Sequence, residues 1–145
     1  MSAEATGSLR IAAVQMNTGP DKERNIDTAL RLIDRAAAEG ARLIALPEVW
    51  TYLGSDEGGI EAAEPIPGPV TELLAERARR HNVYIHGGSM QERIEGDPGR
   101  TWNTTAFMFK STRRSRIASA SARCLVSGNP GLDGQSMLAT VATQT

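Results

Sequence analysis

The alternation of apolar and polar positions predicts three elements in the first part of the chain. An apolar run over Leu9–Met16 predicts a strand that is buried on both faces. Apolar residues at helical spacing then predict a helix that begins at Asp21 and ends with Gly40 as its C-terminal cap. A second apolar run, Leu43–Leu46, follows this glycine and predicts a short, buried parallel strand.

The next part of the chain predicts a long loop, a second helix and two further strands. The loop covers Val49–Gly68, and the helix covers Pro69–His81, since proline suits the first helical position. Strands are predicted at Val83–Ser89 and Thr104–Phe109, with a turn at Arg93–Arg100 between them. If this connection is a hairpin, the two strands run antiparallel.

The predicted order, β-α-β-α-β-β, indicates an α/β fold in which helices pack on a layered sheet. Helices on only one side of the sheet would leave the other side apolar. We therefore expect the sheet to need a second layer.

One carboxylate is placed where such folds bind ligands. Pro47 cannot donate to a central ladder, so the strand ends there and Glu48 is the first side chain beyond it. In open α/β sheets, ligands bind outside the carboxyl ends of the strands. We expect Glu48 to be partly shielded from water and to be a candidate general base. The alternative is an ordinary solvated carboxylate at the start of a loop.

Composition excludes several classes of function. The 145 residues are enough for about one domain, and a formal net charge of -1 favours neither nucleic acid nor a membrane surface as a partner. The apolar runs are too short to cross a bilayer, and residues 1–8 do not resemble a signal peptide. A single cysteine excludes an internal disulfide framework and fits a reducing compartment, so we expect a cytoplasmic protein.

The character of the chain changes after Lys110. From Ser111 onward there is no aromatic residue, and serine, alanine, threonine, glycine and arginine dominate. Such a segment buries too little apolar area to offset its ordering entropy. We expect an ordered domain over residues 9–110 and a poorly ordered tail over 111–145. The short basic run of the tail is interpreted as solvated rather than as a nucleic-acid patch; it comprises Arg113, Arg114 and Arg116.

Several segments together resemble the nitrilase, or carbon–nitrogen hydrolase, superfamily, in the order and at the spacing of that family. They are LRIAAVQ from Leu9, the helix that carries Asn25, LIALPE at 43–48, YIHGGS at 84–89 and WNTTAFMF at 102–109. The sequence PEVW at 47–50 is closest to the amidase-type branches. The resemblance covers Leu9–Phe109 and implies the N-terminal portion of a four-layer αββα sandwich.

The resemblance also implies a reaction, the hydrolysis of a small amide or nitrile with release of ammonia. The family uses a glutamate base, a lysine that stabilises the oxyanion and a cysteine nucleophile, and it needs no cofactor. Glu48 matches the base. Neither lysine, Lys22 or Lys110, stands in the family's Y-R-K-x-H-L-F motif, and Cys124 lacks the G-x-x-I-C-Y-D context. We therefore do not assign the nucleophile to Cys124.

Two explanations account for the missing motifs. The first is a shift of the reading frame near Lys110, and the second is a naturally variable C-terminal segment. As an alternative function, the chain is a truncated or frame-shifted remnant that acts at most as a binding or structural module. Since one side of the sheet is expected to be uncovered, we also expect a homo-oligomer or a self-associating chain.

Other conspicuous residues have ordinary structural interpretations. His86 is expected to pack within its strand, and two histidines give no metal cluster. Gly87 and Gly88 indicate close backbone approach rather than a phosphate loop, because no Lys-Ser/Thr pair follows them. Trp50 and Tyr52 either line the mouth of a pocket or pack beneath the long loop.

Overall fold

The computed structural model describes residues 9–108 in full and the backbone of residues 123–126. Five strands form one sheet in the order β1-β2-β3-β4-β5, in which β1, β2 and β3 are parallel and β3, β4 and β5 are antiparallel. The strands are β1 (Ile11–Ala13), β2 (Leu43–Ala45), β3 (Tyr84–Ile94), β4 (Asp97–Met108) and β5 (Arg123–Val126). The helices are α1 (Lys22–Ala38), α2 (Asp56–Ala62) and α3 (Pro69–His81).

The ends of α1 and α3 follow from local sequence signals, of which Asp21, Gly40 and Pro69 were predicted. The Asp21 carboxylate accepts a hydrogen bond of 3.0 Å from the backbone N–H of Arg24, which satisfies a donor of the first turn of α1. Gly40, with a φ of 88°, follows the last turn. Helix α3 begins at Pro69, and Asn82 ends it in the left-handed conformation, with a φ of 54°.

Helices α1 and α3 cover one side of the sheet, which we call the covered face. Its aligned residues across the first four strands are Ala12, Ile44, Ile85 and Met108. Ile44 and Ile85 are fully buried and belong to one apolar cluster with residues of α1 and α3. Burial of this stripe supplies much of the driving force for packing the two helices on the sheet.

The opposite side of β1, β2 and the start of β3 carries apolar residues that are exposed in β1 and partly buried in β2, and we call it the open face. It carries Ile11, Leu43 and Tyr84 in one aligned row. Ile11 is 59% exposed and Tyr84 is 36% exposed. The prediction that the first strand is buried on both faces is therefore wrong for the described residues. Within these residues, α1 and α3 cover only the other side of β1 and β2.

Two predicted boundaries in the middle of the chain are also wrong. The predicted loop contains α2, which begins where the Ser55 hydroxyl accepts a hydrogen bond of 3.2 Å from the backbone N–H of Gly58. The predicted turn over residues 93–100 is much shorter, because β3 extends to Ile94 and β4 begins at Asp97. The ladder passes from the pair Ile94–Asp97 to the pair Arg93–Thr101. The residues between Asp97 and Thr101 therefore bulge out of the register.

The last strand lies in the segment for which we expected poor order. The backbone of β5 pairs antiparallel with residues 101–104 of β4. The remainder of the segment from Ser111, with its arginine run, lies outside the described residues. The division into a domain and a tail stays a prediction.

Candidate active site

Glu48 lies in a tight turn at the carboxyl end of β2. The backbone N–H of Leu46 still donates to the carbonyl of His86 at 2.9 Å, and pairing by β2 stops at Pro47, as predicted. We call residues 47–50 the Glu48 turn. The Glu48 side chain is exposed, so the expected partial shielding is wrong for the part of the chain that the structure describes. No described element folds over this carboxylate.

The backbone of the Glu48 turn is bound to β3 at two points. The backbone N–H of Val49 donates to the Ser89 hydroxyl oxygen at 2.9 Å. The backbone N–H of Ser89 donates to the carbonyl of Pro47 at 3.3 Å. Val49 has a φ of 49°, a left-handed conformation that is a genuine outlier for a β-branched residue. The turn is therefore strained, and its contacts hold it in that state.

The next residue of the turn anchors it in the core. Trp50 is fully buried, and its indole N–H donates to the carbonyl of Gly87 at 2.7 Å. Gly88 has a φ of 61°, and a Cβ atom there would collide with the carbonyl oxygen of Pro47. The close backbone approach predicted for the two glycines is confirmed. The Glu48 turn packs directly against Gly88.

A buried asparagine joins the same region to the start of α1. The Asn25 side-chain amide donates to the carbonyls of Gly19 and Thr51 at 2.8 and 3.1 Å, and its oxygen accepts from the N–H of Gly19 at 3.2 Å. The Thr51 hydroxyl in turn donates to the side-chain oxygen of Gln91 at 2.9 Å. Buried polar groups that are satisfied in this way fix the loop that follows β1 against the loop that follows β2.

A cavity of about 290 Å³ lies beside the turn and includes Val49 and Tyr52 in its wall. Its polar lining comes from the start of α2 and from the β3–β4 hairpin, and includes Asp56, Gln91, Arg100 and Asn103. Trp50 packs in the core. Tyr52 is also buried, and it both lines the cavity and packs beneath the segment that carries Gly54 and Gly58. The side-chain oxygen of Asn103 is buried without a hydrogen-bond partner among the described residues.

Of the remaining candidates that the structure describes, His86 and Lys22 bind partners other than Glu48. The His86 ring packs edge-on against Phe107 with their centroids 4.8 Å apart, and its Nδ1 accepts from the N–H of Gly88 at 3.2 Å. The Lys22 ammonium lies 2.6 Å from a carboxylate oxygen of Glu64 and donates to the carbonyl of Ala62 at 2.6 Å. Lys110 and the Cys124 side chain lie outside the part of the chain described in full.

The described residues were also compared with the requirements of a metal site and of a membrane-spanning helix, and they meet neither. They contain no group of three or more His, Cys, Asp or Glu residues placed to hold a metal ion. Within the same residues, no helix has the length and apolar character needed to cross a membrane.

Comparison with known proteins identifies the family. The model of the carbon-nitrogen hydrolase family matches residues 10–123. The chain belongs to this family. An omega-amidase NIT2-B of Xenopus laevis is 39% identical over 98 residues, which are 68% of this chain and 34% of that protein. A deaminated glutathione amidase of Synechocystis is 33% identical over 97 residues, which are 67% of this chain and 36% of that protein. The chain thus spans about a third of the length of these relatives.

Solved structures agree with this assignment. The NitFhit protein of C. elegans superposes with a TM-score of 0.69 at 25% identity, over 90% of this chain and 31% of that one. Nit3 of Saccharomyces cerevisiae superposes with a TM-score of 0.65 at 23% identity, over 79% of this chain and 43% of that one, and supports the fold. The nitrilase-like fold class that the sequence motifs imply is confirmed.

Membership of the carbon–nitrogen hydrolase family explains why the LPE and GGS segments occur together. In the structure they form one unit, since the GGS segment of β3 binds the turn that carries Glu48. Sequence reasoning did not identify Ser89 or Asn103 as site residues. The signal for Ser89 was its place after two glycines, which marks an irregular strand. No feature of the sequence pointed to Asn103, apart from its position in the WNTTAFMF segment that resembles the family.

Proposed function

We propose that this chain carries the general-base segment of an amidase that hydrolyses the C–N bond of a small amide and releases ammonia, with Glu48 as the base. The observation that supports the proposal is the Glu48 turn. It presents a carboxylate at the carboxyl end of a parallel strand, on a strained backbone that hydrogen bonds to Ser89 and Gly87 hold. Strain of this kind is concentrated at functional sites.

The chemistry follows from what a carboxylate at this position does. Glu48 accepts the proton of the attacking nucleophile, and the same proton leaves with the ammonia. Water then completes the reaction, so that an amide and water give a carboxylic acid and ammonia. By resemblance to the family, the nucleophile is a cysteine and a lysine stabilises the oxyanion. We do not propose Lys22 for the oxyanion, because its ammonium is committed to Glu64 and the carbonyl of Ala62.

We propose small amides as the substrate class, with nitriles as the second choice. The relatives named above are an omega-amidase and a deaminated glutathione amidase, so ω-amides are the first compounds to test. The cavity of about 290 Å³ beside the turn has the size for a small polar molecule, and its wall includes Val49 and not Glu48 itself. We propose no nucleic-acid or membrane partner, and we propose the cytoplasm as the compartment.

The second candidate function is a catalytically inactive remnant that acts at most as a binding or structural module. Two observations favour it. Neither lysine and no cysteine stands in the family's catalytic motifs, and Glu48 is exposed. Translation of the parent coding DNA in the other two frames tests the origin of the change near Lys110. A Y-R-K or G-x-x-I-C-Y-D segment in either frame supports a frame shift, and its absence from both contradicts one.

Ammonia release from a panel of ω-amides, simple amides and nitriles tests the enzymatic proposal. The purified chain is compared with Glu48→Gln, which keeps the size of the side chain and removes its basicity. Turnover of an amide by the chain, absent in the variant, supports the amidase. Turnover no greater than that of Glu48→Gln on every compound supports the remnant.

A further inference from the structure

The strained conformation of Val49 in the Glu48 turn requires contacts that stabilise it. Val49 has a φ of 49°, whereas this conformation is adopted readily by glycine and next by asparagine. A valine there places its branched side chain against the backbone, and the chain relaxes unless its surroundings oppose the change. A residue whose contacts oppose this relaxation is therefore a candidate for keeping Glu48 in its position.

Ser89 is the residue in the right place. Its hydroxyl oxygen accepts the N–H of Val49 at 2.9 Å, and its own N–H donates to the carbonyl of Pro47 at 3.3 Å. These groups belong to the two peptide units that flank Glu48. Ser89 thus holds the backbone on both sides of the glutamate while it is itself only 9% exposed.

The two contacts are separable. The bond to Pro47 uses the backbone of Ser89 and remains with any side chain, and the approach that permits it depends on Gly88. The bond to Val49 uses the hydroxyl alone. The pairing of β3 with β4 shifts register between His86 and Ser89. If this irregularity served only to shape the sheet, the hydroxyl of Ser89 would not be needed.

We propose that Ser89 is a positioning residue for Glu48, and that its hydroxyl holds Val49 in the left-handed conformation that aims the carboxylate out of the sheet edge. The proposal rests on the proposed function, because the position of the Glu48 carboxylate affects catalysis only if Glu48 is the base. Ser89 acts through the backbone and is not itself placed among the reacting groups.

The first test measures the conformation of Val49 through backbone coupling constants by NMR. Unmodified protein and Ser89→Thr, which keeps a hydroxyl, should show the left-handed φ, and Ser89→Ala should lose it. The matched control is Ser55→Ala, which removes a bond of the same type at the start of α2. It should leave Val49 unchanged. A left-handed φ that survives in Ser89→Ala contradicts the proposal.

The second test uses stability and does not depend on resolved NMR spectra. Ser89→Ala should lower the urea midpoint, and most of this loss should be absent when Val49→Gly is already present, since glycine needs no support in this conformation. Ser55→Ala should cost the same in both backgrounds. Equal losses from Ser89→Ala in the two backgrounds would show that the hydroxyl does not hold Val49 and would overturn the proposal.

The third test concerns catalysis. Ser89→Ala should lower kcat roughly ten- to a hundredfold with KM little changed, and Ser89→Thr should restore it. A normal kcat in Ser89→Ala contradicts a positioning role. If the unmodified chain shows no turnover at all, the proposed function fails, whereas the two conformational tests still decide whether Ser89 holds the turn.

Discussion

Two turns of the molecule each expose a glutamate, and they differ in how the backbone is held. Glu48 follows β2, and Glu95 lies at the tip of the hairpin between β3 and β4. At the tip, Gly96 takes the positive φ, and a Cβ atom there would meet nothing within 4 Å. In the Glu48 turn, a valine takes the positive φ and Gly88 closely approaches Pro47. Exposure alone does not distinguish the two carboxylates. What distinguishes Glu48 is that the backbone beside it is strained at Val49 and is held by contacts to β3.

Two glycine substitutions give the largest expected contrast, one in β3 where it packs against the Glu48 turn and one at the hairpin tip. Gly88→Ala should lower the free energy of unfolding by about 3 kcal/mol, because it adds a collision with Pro47 to the strain of a positive φ. Gly96→Ala should cost about 1 kcal/mol, because only the strain remains. Urea unfolding followed by circular dichroism measures both. Equal costs would show that the Glu48 turn is not packed against β3 as described.

The two tryptophans give a smaller contrast. Trp50→Phe removes the indole donor to the buried carbonyl of Gly87, so we expect a loss of about 1–3 kcal/mol in the free energy of unfolding. The matched variant is Trp102→Phe on β4, where the side chain is half-buried. We expect a loss of about 1 kcal/mol or less there. A Trp102 effect as large as that of Trp50 would contradict the anchoring role of the indole.

A third variant should leave both turns intact and act only on assembly. Ile11→Lys places a charge on the open face at a residue that is 59% exposed. We expect a stability change within about 0.5 kcal/mol and a clear fall in self-association, measured by sedimentation velocity. The comparison variant Arg31→Ala, on the exposed side of α1, should not change assembly. A monodisperse monomer before any substitution would contradict the self-association that the sequence predicts.

Much of the fold could be predicted from periodicity, because strands and helices that bury a stripe carry it in the sequence. Helix α2 was missed because Gly58 and Gly59 lower helix propensity within a short segment. The length of the hairpin was missed because Pro98 and Gly99 resemble a turn. They occupy instead a bulge within β4.

The candidate site was less predictable, although Glu48 itself was found from the end of a strand. Its exposure depends on what packs over the sheet edge, and no local pattern encodes that. Val49 is the kind of residue that sequence rules place in a strand, so its left-handed conformation is visible only in the structure. The role of Ser89 depends on the register of an irregular strand, which brings it to residues some forty positions away along the chain.

In the proposed function Glu48 serves as a base, whereas the exposed Glu95 does not. The most direct test is the rate of ammonia release from a small ω-amide by the unmodified chain, Glu48→Gln and Glu95→Gln. We expect Glu48→Gln to lower kcat about 10²- to 10⁴-fold and Glu95→Gln to leave it unchanged. Equal rates for the two variants, or no turnover by the unmodified chain, would contradict the account.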